Sequence, residues 1–371
     1  MKIVSYLFAD GYTGAARMGA EVTRVLQPDL KVAVFSPARG GGPLQDLAEA
    51  FGSQVVAAPA GVRLIGKAVS YGFGLAITAF HSLRLAAISR EVVLVYGGTM
   101  FSLPLAALSL FPNVKTILHL HELGTGRGWL DRILLRLATF ADAIVCVSRF
   151  HEQELKKLLP RGARKKLRVV ENCVPDVVDS MLPFKRRDIP LIYVGGATRR
   201  KGIRVIAEVA RRLEPCHSLR WQLCLSSAGQ IDSESVDVLS RLQTVEIAWD
   251  ARDVLSYLRR ARVAVVPTVP ELCSETFGLV LVEAAMCGCQ VVASDSGAYQ
   301  DTLTALRTGI LVPGRSEQEL AQALCETLPR LCREAVEPPP VNIVPFLPHR
   351  MAEQWKAIIA ELTGNGVCPR A

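Results

Sequence analysis

No uninterrupted apolar run in this sequence reaches the roughly 20 residues that a bilayer-spanning helix requires, so no such helix is expected. Zinc-finger, helix-turn-helix and RNA-binding aromatic patterns are missing, which removes the common nucleic-acid readers. The Walker phosphate loop and a full dinucleotide-binding fingerprint are missing too. Ten cysteines are present, but without a repeated metal-ligand spacing. Cys287 and Cys289 have no histidine or second cysteine pair near them. Free thiols in a reducing compartment are the simplest reading, and they set the expectation of a cytoplasmic protein. The opening Met1-Lys-Ile-Val-Ser-Tyr-Leu-Phe-Ala-Asp10 reads as a first strand, not a signal peptide.

What is present points to ample burial. The chain has 371 residues, too many for one ordinary core, and half of them are hydrophobic. Mean hydropathy is +0.27, which argues against disorder. The net charge of +8 is unevenly placed. Residues 1–185 carry 22 basic against 14 acidic side chains, while residues 186–371 carry 21 of each. Arg161, Arg164, Lys165, Lys166 and Arg168 form the densest cluster. A basic half attracts an anionic membrane or nucleic acid, although a solvated face without a partner explains it equally well.

Short apolar runs alternate with helical patterns along the whole chain. In the first half, expected strands are Lys2–Phe8, Lys31–Phe35, Gln54–Ala57, Val92–Tyr96, Thr116–His121, Ala143–Ser148 and Arg168–Glu171. Helical patterns fall between them at Ala16–Leu26, Leu44–Phe51, Leu64–Ser89, Trp129–Phe140 and Arg149–Leu159. The pattern restarts after the charged segment Pro183–Pro190, with helices expected at Ile203–Leu213, Val254–Arg260 and Leu279–Met286, among others. Continuous rather than alternating apolar strands suit parallel sheets covered on both faces, so two α/β domains of the doubly wound kind are expected. The segment 64–89 mixes apolar and basic residues and suits either packing on the first sheet or a membrane interface.

Four constellations carry candidate chemistry. Glu275-Thr-Phe-Gly-Leu-Val-Leu-Val-Glu283 places two carboxylates around a helix-permissive apolar run. Glu283 inside that run is costly unless paired or bound, and amides at a helix start near Gly278 can receive phosphate oxygens. A buried pair of Glu283 with an arginine is the plainer alternative. Gly195-Gly-Ala-Thr-Arg-Arg200-Lys201-Gly202 joins an expected strand to a helix, where backbone amides and Lys201 can meet a diphosphate. Asp10-Gly-Tyr-Thr-Gly14 follows the first strand, the edge at which parallel sheets contact ligands. His119-Leu-His121-Glu122 ends another strand. His121 is the better placed to hydrogen-bond a substrate hydroxyl, two satisfied strand-end histidines being the alternative.

These motifs, with Ala141-Asp-Ala-Ile-Val-Cys-Val-Ser148, Val170-Glu-Asn-Cys-Val-Pro175 and Thr308-Gly-Ile-Leu-Val-Pro313, occur in the order seen in a known family. The chain resembles the retaining, two-domain glycosyltransferases with paired glutamates, glycosyltransferase family 4. The resemblance implies a GT-B architecture, with an acceptor domain at 1–185, a nucleotide-sugar domain at 186–345, and a crossing helix and tail at 346–371 that return to the first domain. It implies transfer from a UDP-, GDP- or ADP-hexose without a catalytic metal or separate cofactor. Glu283 would hold the ribose, and Glu275 would lie by the sugar. Phe277, Gly278 and Leu279 would offer backbone contacts. Lys201 would bind the diphosphate, His121 would face the sugar, and Gly14 would border the phosphates.

The expected acceptor is a glycan or lipid-linked saccharide of the cell envelope, at the inner face of the membrane. A soluble small-molecule acceptor and a non-catalytic nucleotide-sugar binder are the alternatives. Gly196 departs from the family, whose members usually carry arginine there. Arg199 or Arg200 would have to compensate.

Overall fold

The computed structural model describes the strands at 2–6, 31–35 and 93–97, parts of helices within 18–24 and 80–87, and residues 108–123, 129–174, 182–227, 230–334 and 336–364. Gly14, the expected strand at 54–57, the expected helix at 44–51 and most of the segment 64–89 lie outside the described residues.

The chain forms two compact units, one comprising Met1–Cys173 with Pro348–Ala371 and the other Val174–Leu347. The first contains β1 (Lys2–Tyr6), β2 (Lys31–Phe35), β3 (Val93–Gly97), β4 (Val114–Leu120), α1 (Trp129–Leu137), β5 (Ala143–Cys146), α2 (Arg149–Leu158), α3 (Arg161–Arg164) and β6 (Leu167–Val169). Its strands pair in the order β2-β1-β3-β4-β5-β6, every pairing parallel.

The second unit contains β7 (Ile189–Gly196), α4 (Ile203–Leu213), β8 (Trp221–Ser226), α5 (Ser233–Arg241), β9 (Val245–Trp249), α6 (Val254–Arg260) and β10 (Ala261–Val266). It continues with α7 (Leu279–Met286), β11 (Gln290–Ser294), α8 (Tyr299–Leu306), β12 (Ile310–Val312) and α9 (Glu317–Glu334). The sheet order is β12-β11-β10-β7-β8-β9, again all parallel. Read from β9 inward, this is the doubly wound order whose direction reverses between β7 and β10. Ligands of such sheets bind beyond the carboxyl ends of the strands at that reversal. Both units are therefore Rossmann-like α/β domains of the GT-B architecture.

Burial explains the elements. In α4, Ile203, Ile206, Ala207, Ala210 and Leu213 turn to the sheet while Arg211 and Arg212 face water. Helix α7 is apolar on every side and accordingly buried over most of its length, with Glu283 as its one charge.

The first boundary between units falls twelve residues earlier than the expected 185, because the residues leading into β7 are anchored in the second unit. Arg187, buried, donates to the carbonyls of Ala261, Gly288 and Cys287, each at 2.8 Å. With the Leu182 carbonyl at 3.2 Å, four backbone carbonyls accept from this guanidinium, which fastens the entry segment to β10 and the end of α7.

The last helix, α10 (Pro348–Thr363), returns to the first unit. Its Glu361 pairs with Arg168, and its buried Trp355 meets the His119 ring edge-on at 5.3 Å.

Candidate functional site

The loops that leave β7 and β10 meet at the reversal point of the second sheet. Their contact is set by glycine. At Gly202 (φ +84°) a Cβ would lie 2.0 Å from the Pro267 carbonyl oxygen, so only hydrogen permits this approach. The Val269 amide also donates to the Arg200 carbonyl at 3.1 Å. Lys201, between these two anchors, is thus presented to the β10 loop, where its ammonium pairs with the Glu275 carboxylate.

Glu275 is held by its own backbone. Its carbonyl accepts from the Ala298 amide at 2.8 Å. At Gly297 (φ +59°), a Cβ would sit 2.1 Å from that same carbonyl oxygen. The carboxylate is also reached by the Thr268 hydroxyl at 3.4 Å and the Cys273 thiol at 3.7 Å. Thr268 shares a 2.9 Å hydrogen bond with the buried Tyr299 hydroxyl.

Burial, reinforced by the Glu275 charge, pushes the Tyr299 and Tyr193 phenols far above their ordinary range. Both stay protonated as hydrogen-bond donors. Burial first, then Glu275, also pushes the Cys273 thiol up to about 11, which makes it unreactive at neutral pH.

The N-cap of helix α7 is Gly278, three residues after Glu275, and it brings no capping side chain of its own. Its first amides and its positive dipole end therefore stand beside the Lys201–Glu275 pair. Glu283 lies one turn further along, only 4% exposed. The site thus combines Lys201, amides of a glycine-led helix start and two carboxylates. That set suits a diphosphate with hydroxyl-bearing groups on either side of it.

In the first unit, His121 directly follows β4 at the carboxyl edge of its sheet. Its ring lies 4.0 Å from that of His119. His151 is fully buried behind them; its Nδ1 accepts from the Val147 amide at 3.4 Å, and the Ser148 hydroxyl caps its own amide. Loss of hydration lowers all three imidazoles, to about 4 for His121 and about 4 for His151, and the neighbouring His151 adds to the effect on His121. At neutral pH each is uncharged, and a neutral His121 can both donate and accept hydrogen bonds.

The expected residues are thereby located, each within its own unit. Lys201, Glu275, Gly278 and Leu279 converge. Gly195 and Gly196 end β7, and the Gly196 carbonyl accepts from Tyr193 at 2.9 Å. Phe277 is buried against Phe346, with its carbonyl taken by Thr302 at 2.7 Å. Arg199 is turned away to Glu317, in two bonds of 2.8 and 2.9 Å, and so does not stand in for the arginine absent at Gly196. Arg200 lies close enough to Cys273 to favour its thiolate electrostatically, which makes it the better placed of the two.

Three residues of the site were not anticipated: Thr268, Cys273 and Tyr299. Thr268 and Cys273 stand in the loop after β10, so the sheet-edge rule that marked Asp10–Gly14 would have marked them too. Tyr299 opens α8, a helix whose start carries no capping side chain and so no sequence signal.

Known proteins resemble both halves of the chain. A family model described as Glycosyltransferase Family 4 matches residues 12–177, and one described as Glycosyl transferases group 1 matches residues 189–329. The chain is a homologue of family 4 glycosyltransferases.

D-inositol 3-phosphate glycosyltransferase of Pseudarthrobacter chlorophenolicus is 32% identical over 145 residues, covering 36% of this chain and 33% of its own. Alpha-maltose-1-phosphate synthase of Mycolicibacterium smegmatis is 29% identical over 219 residues, 52% of this chain and 53% of its own. This family 4 homologue therefore spans between a third and about half of these relatives' lengths. Among solved structures, Anabaena Alr3699/HepE in complex with UDP and glucose superposes with a TM-score of 0.73 at 16% identity, over 98% of this chain and all of that one. At that identity the likeness establishes the shared GT-B fold.

Proposed function

We propose that the chain transfers a hexose, with retention at the anomeric carbon, from a nucleotide-sugar to a hydroxyl of a soluble polyol or sugar phosphate. The carrying observation is the convergence of Lys201, Glu275 and the glycine-led start of α7 at the reversal point of the second sheet. The named products and substrates of the two relatives, an inositol phosphate and a maltose phosphate, support the soluble acceptor. HepE, which holds UDP and glucose, supports a UDP-hexose as the donor to try first.

In this reading Lys201 and the amides of Gly278 and Leu279 take up the charge that builds on the diphosphate as the sugar–oxygen bond breaks. Glu275 orients the sugar and Glu283 accepts hydrogen bonds from the ribose hydroxyls. Gly14 would border the phosphates, and His121 would hydrogen-bond the sugar as a neutral imidazole. The acceptor oxygen attacks the same face that the diphosphate leaves, and its proton passes to a leaving phosphate oxygen. No protein nucleophile is needed, and no step calls for a metal.

A second reading, with a glycan or lipid-linked acceptor, is favoured by an exposed apolar and basic face on the first unit. Incubation with UDP-, GDP- and ADP-hexoses tests both, using inositol 3-phosphate, glucose 1-phosphate or a lipid-linked saccharide as acceptor. Nucleotide release, product mass and the anomeric configuration by NMR are read out. Turnover giving an α-linked product from an α-linked donor is expected. Donor binding without turnover against every acceptor would identify a non-catalytic nucleotide-sugar binder instead.

A further inference from the structure

Helix α1 packs Leu134 and Leu135 inward, and Ala138 is buried in the 3-10 turn (Ala138–Phe140) that extends it. Its other side is unusual for a surface helix. Trp129 is 70%, Ile133 40% and Phe140 45% exposed, and they recur at a spacing that keeps all three on one stripe. Arg132 and Arg136, both exposed, lie along the same side.

A second basic element adjoins the end of this stripe. Lys166 donates to the carbonyls of Thr139 and Ala141, at 2.8 and 2.9 Å, and so straddles Phe140. Helix α3 packs on the same 3-10 turn, and its Arg161 and Arg164, with Lys165 just after it, face solvent. Asp142 accepts from the Thr116 amide at 2.8 Å, and Glu152 and Glu154 pair with Lys156 and Lys157. Asp131 is the one acid on α1.

We propose that this face of the first unit docks on an anionic phospholipid surface, with Trp129, Ile133 and Phe140 entering the interface and the flanking basic side chains meeting lipid phosphates. Aromatic rings with arginines on one helix side are the pattern of an interfacial helix. A second copy of the chain fits less well. Self-association would bring like-charged arginines together, and three side chains supply on the order of 300–400 Å² of apolar area per copy, too little for a stable dimer core.

Trp129 follows His121 by only eight residues, so the docking face starts from the sheet edge that carries the first unit's candidate site residue. The inference is independent of the transfer chemistry, although it gives the second reading of the acceptor a physical setting.

The test is co-sedimentation of the full chain with vesicles of phosphatidylcholine alone, or with about 30% phosphatidylglycerol, in the absence of any donor. The wild type is expected on anionic vesicles only, and to be released by about 0.5 M salt. Trp129→Ser/Ile133→Ser/Phe140→Ser is expected to bind at least ~10-fold more weakly. Arg132→Gln/Arg136→Gln is expected to lose roughly 5-fold per charge removed. The circular dichroism spectrum and thermal unfolding of each variant should match the wild type and so report an intact fold of the first unit.

Wild-type protein that stays in the supernatant at low salt would overturn the proposal. So would a triple variant that binds as well as the wild type, or a wild-type dimer that the triple variant dissociates. Vesicle binding with no transfer to any acceptor would instead count against the proposed function and leave the docking face standing.

Discussion

The Lys201–Glu275 pair makes opposite predictions for its two members. On the proposed function, the Glu275 carboxylate occupies in the free protein the cation that the diphosphate would take. The Lys201 side chain is 34% exposed and that of Glu275 12%, so the pair is only half in water. Unit charges about 4 Å apart at an effective dielectric near 20 attract by about 4 kcal/mol. Solvent screening and the cost of holding the pair reduce this to roughly 1–2 kcal/mol.

Glu275→Gln therefore frees Lys201 and removes a negative charge beside the phosphates. Affinity for the nucleoside diphosphate should rise by about 5- to 30-fold, the equivalent of 1–2 kcal/mol. Lys201→Ala removes a charge-assisted hydrogen bond of about 1.5–3 kcal/mol and should weaken binding by about 10- to 150-fold. Both variants should lose turnover, Lys201→Ala by ~100-fold or more because charge on the diphosphate grows in the transition state.

The double variant should lie near Lys201→Ala, giving a coupling of at least about 1 kcal/mol. Calorimetric titration with UDP, GDP and ADP, followed by kinetics with the matching donor, reads all of this. Weaker nucleotide binding by Glu275→Gln would refute the reasoning, since it would mean that the carboxylate binds the nucleotide directly instead of competing with it.

Other perturbations test the frame around that pair. Gly297→Ala forces a Cβ to within 2.1 Å of the Glu275 carbonyl oxygen at a φ of +59°, and should cost on the order of 3 kcal/mol in thermal or urea unfolding of the second unit. Arg187→Met strands the buried carbonyls of Ala261, Cys287 and Gly288; a loss of about 3 kcal/mol is expected, with faster amide exchange at the end of α7.

His151 is neutral in the fold with a pKa of about 4, below the ordinary 6.5. The unfolded chain therefore binds the proton first, so stability is full above about pH 6.5 and falls as pH drops toward 4, by ~3 kcal/mol for this residue. Urea unfolding at several pH values should show that slope, and His151→Gln should flatten it.

Most of the fold was legible because its elements are set by local apolar content. The bounds of Ile203–Leu213, Val254–Arg260 and Leu279–Met286 coincide with the observed helices. Continuous apolar runs such as Val263–Val266 announced parallel sheets buried on both faces; that run lies within β10 (Ala261–Val266), and the sheets are parallel throughout the described pairings. The helices that escaped, α3 and α8, are short, and neither start has a capping side chain to mark it.

The candidate site was legible in its charges and not in their pairing. Glu275 and Glu283 stood out as carboxylates flanking one apolar run. Nothing local to that run ties Glu275 to Lys201, which is 74 residues away, because the pairing depends on which strands the sheet places side by side. Likewise Arg199 looked as apt for a phosphate as Arg200 until Glu317, at the start of a distant helix, was seen to claim it.

The same strand order explains why the candidate site falls on the β7 and β10 loops. Strands β7 and β10 are neighbours in the sheet, yet the chain leaves them toward opposite sides, so the loops diverge and open a crevice between their first residues. A crevice of this kind would ordinarily hold its loops apart. Here Gly202 lets one backbone touch the other at Pro267, and Gly297 lets a third loop close on Glu275. The consequence is a carboxylate and an ammonium fixed by main-chain contacts rather than by side-chain packing. Their preorganisation should survive replacement of the side chains themselves. Lys201→Ala and Glu275→Gln should accordingly keep wild-type folding cooperativity while losing function, whereas Gly202→Ala and Gly297→Ala should disturb the fold of the second unit first and its function only as a result.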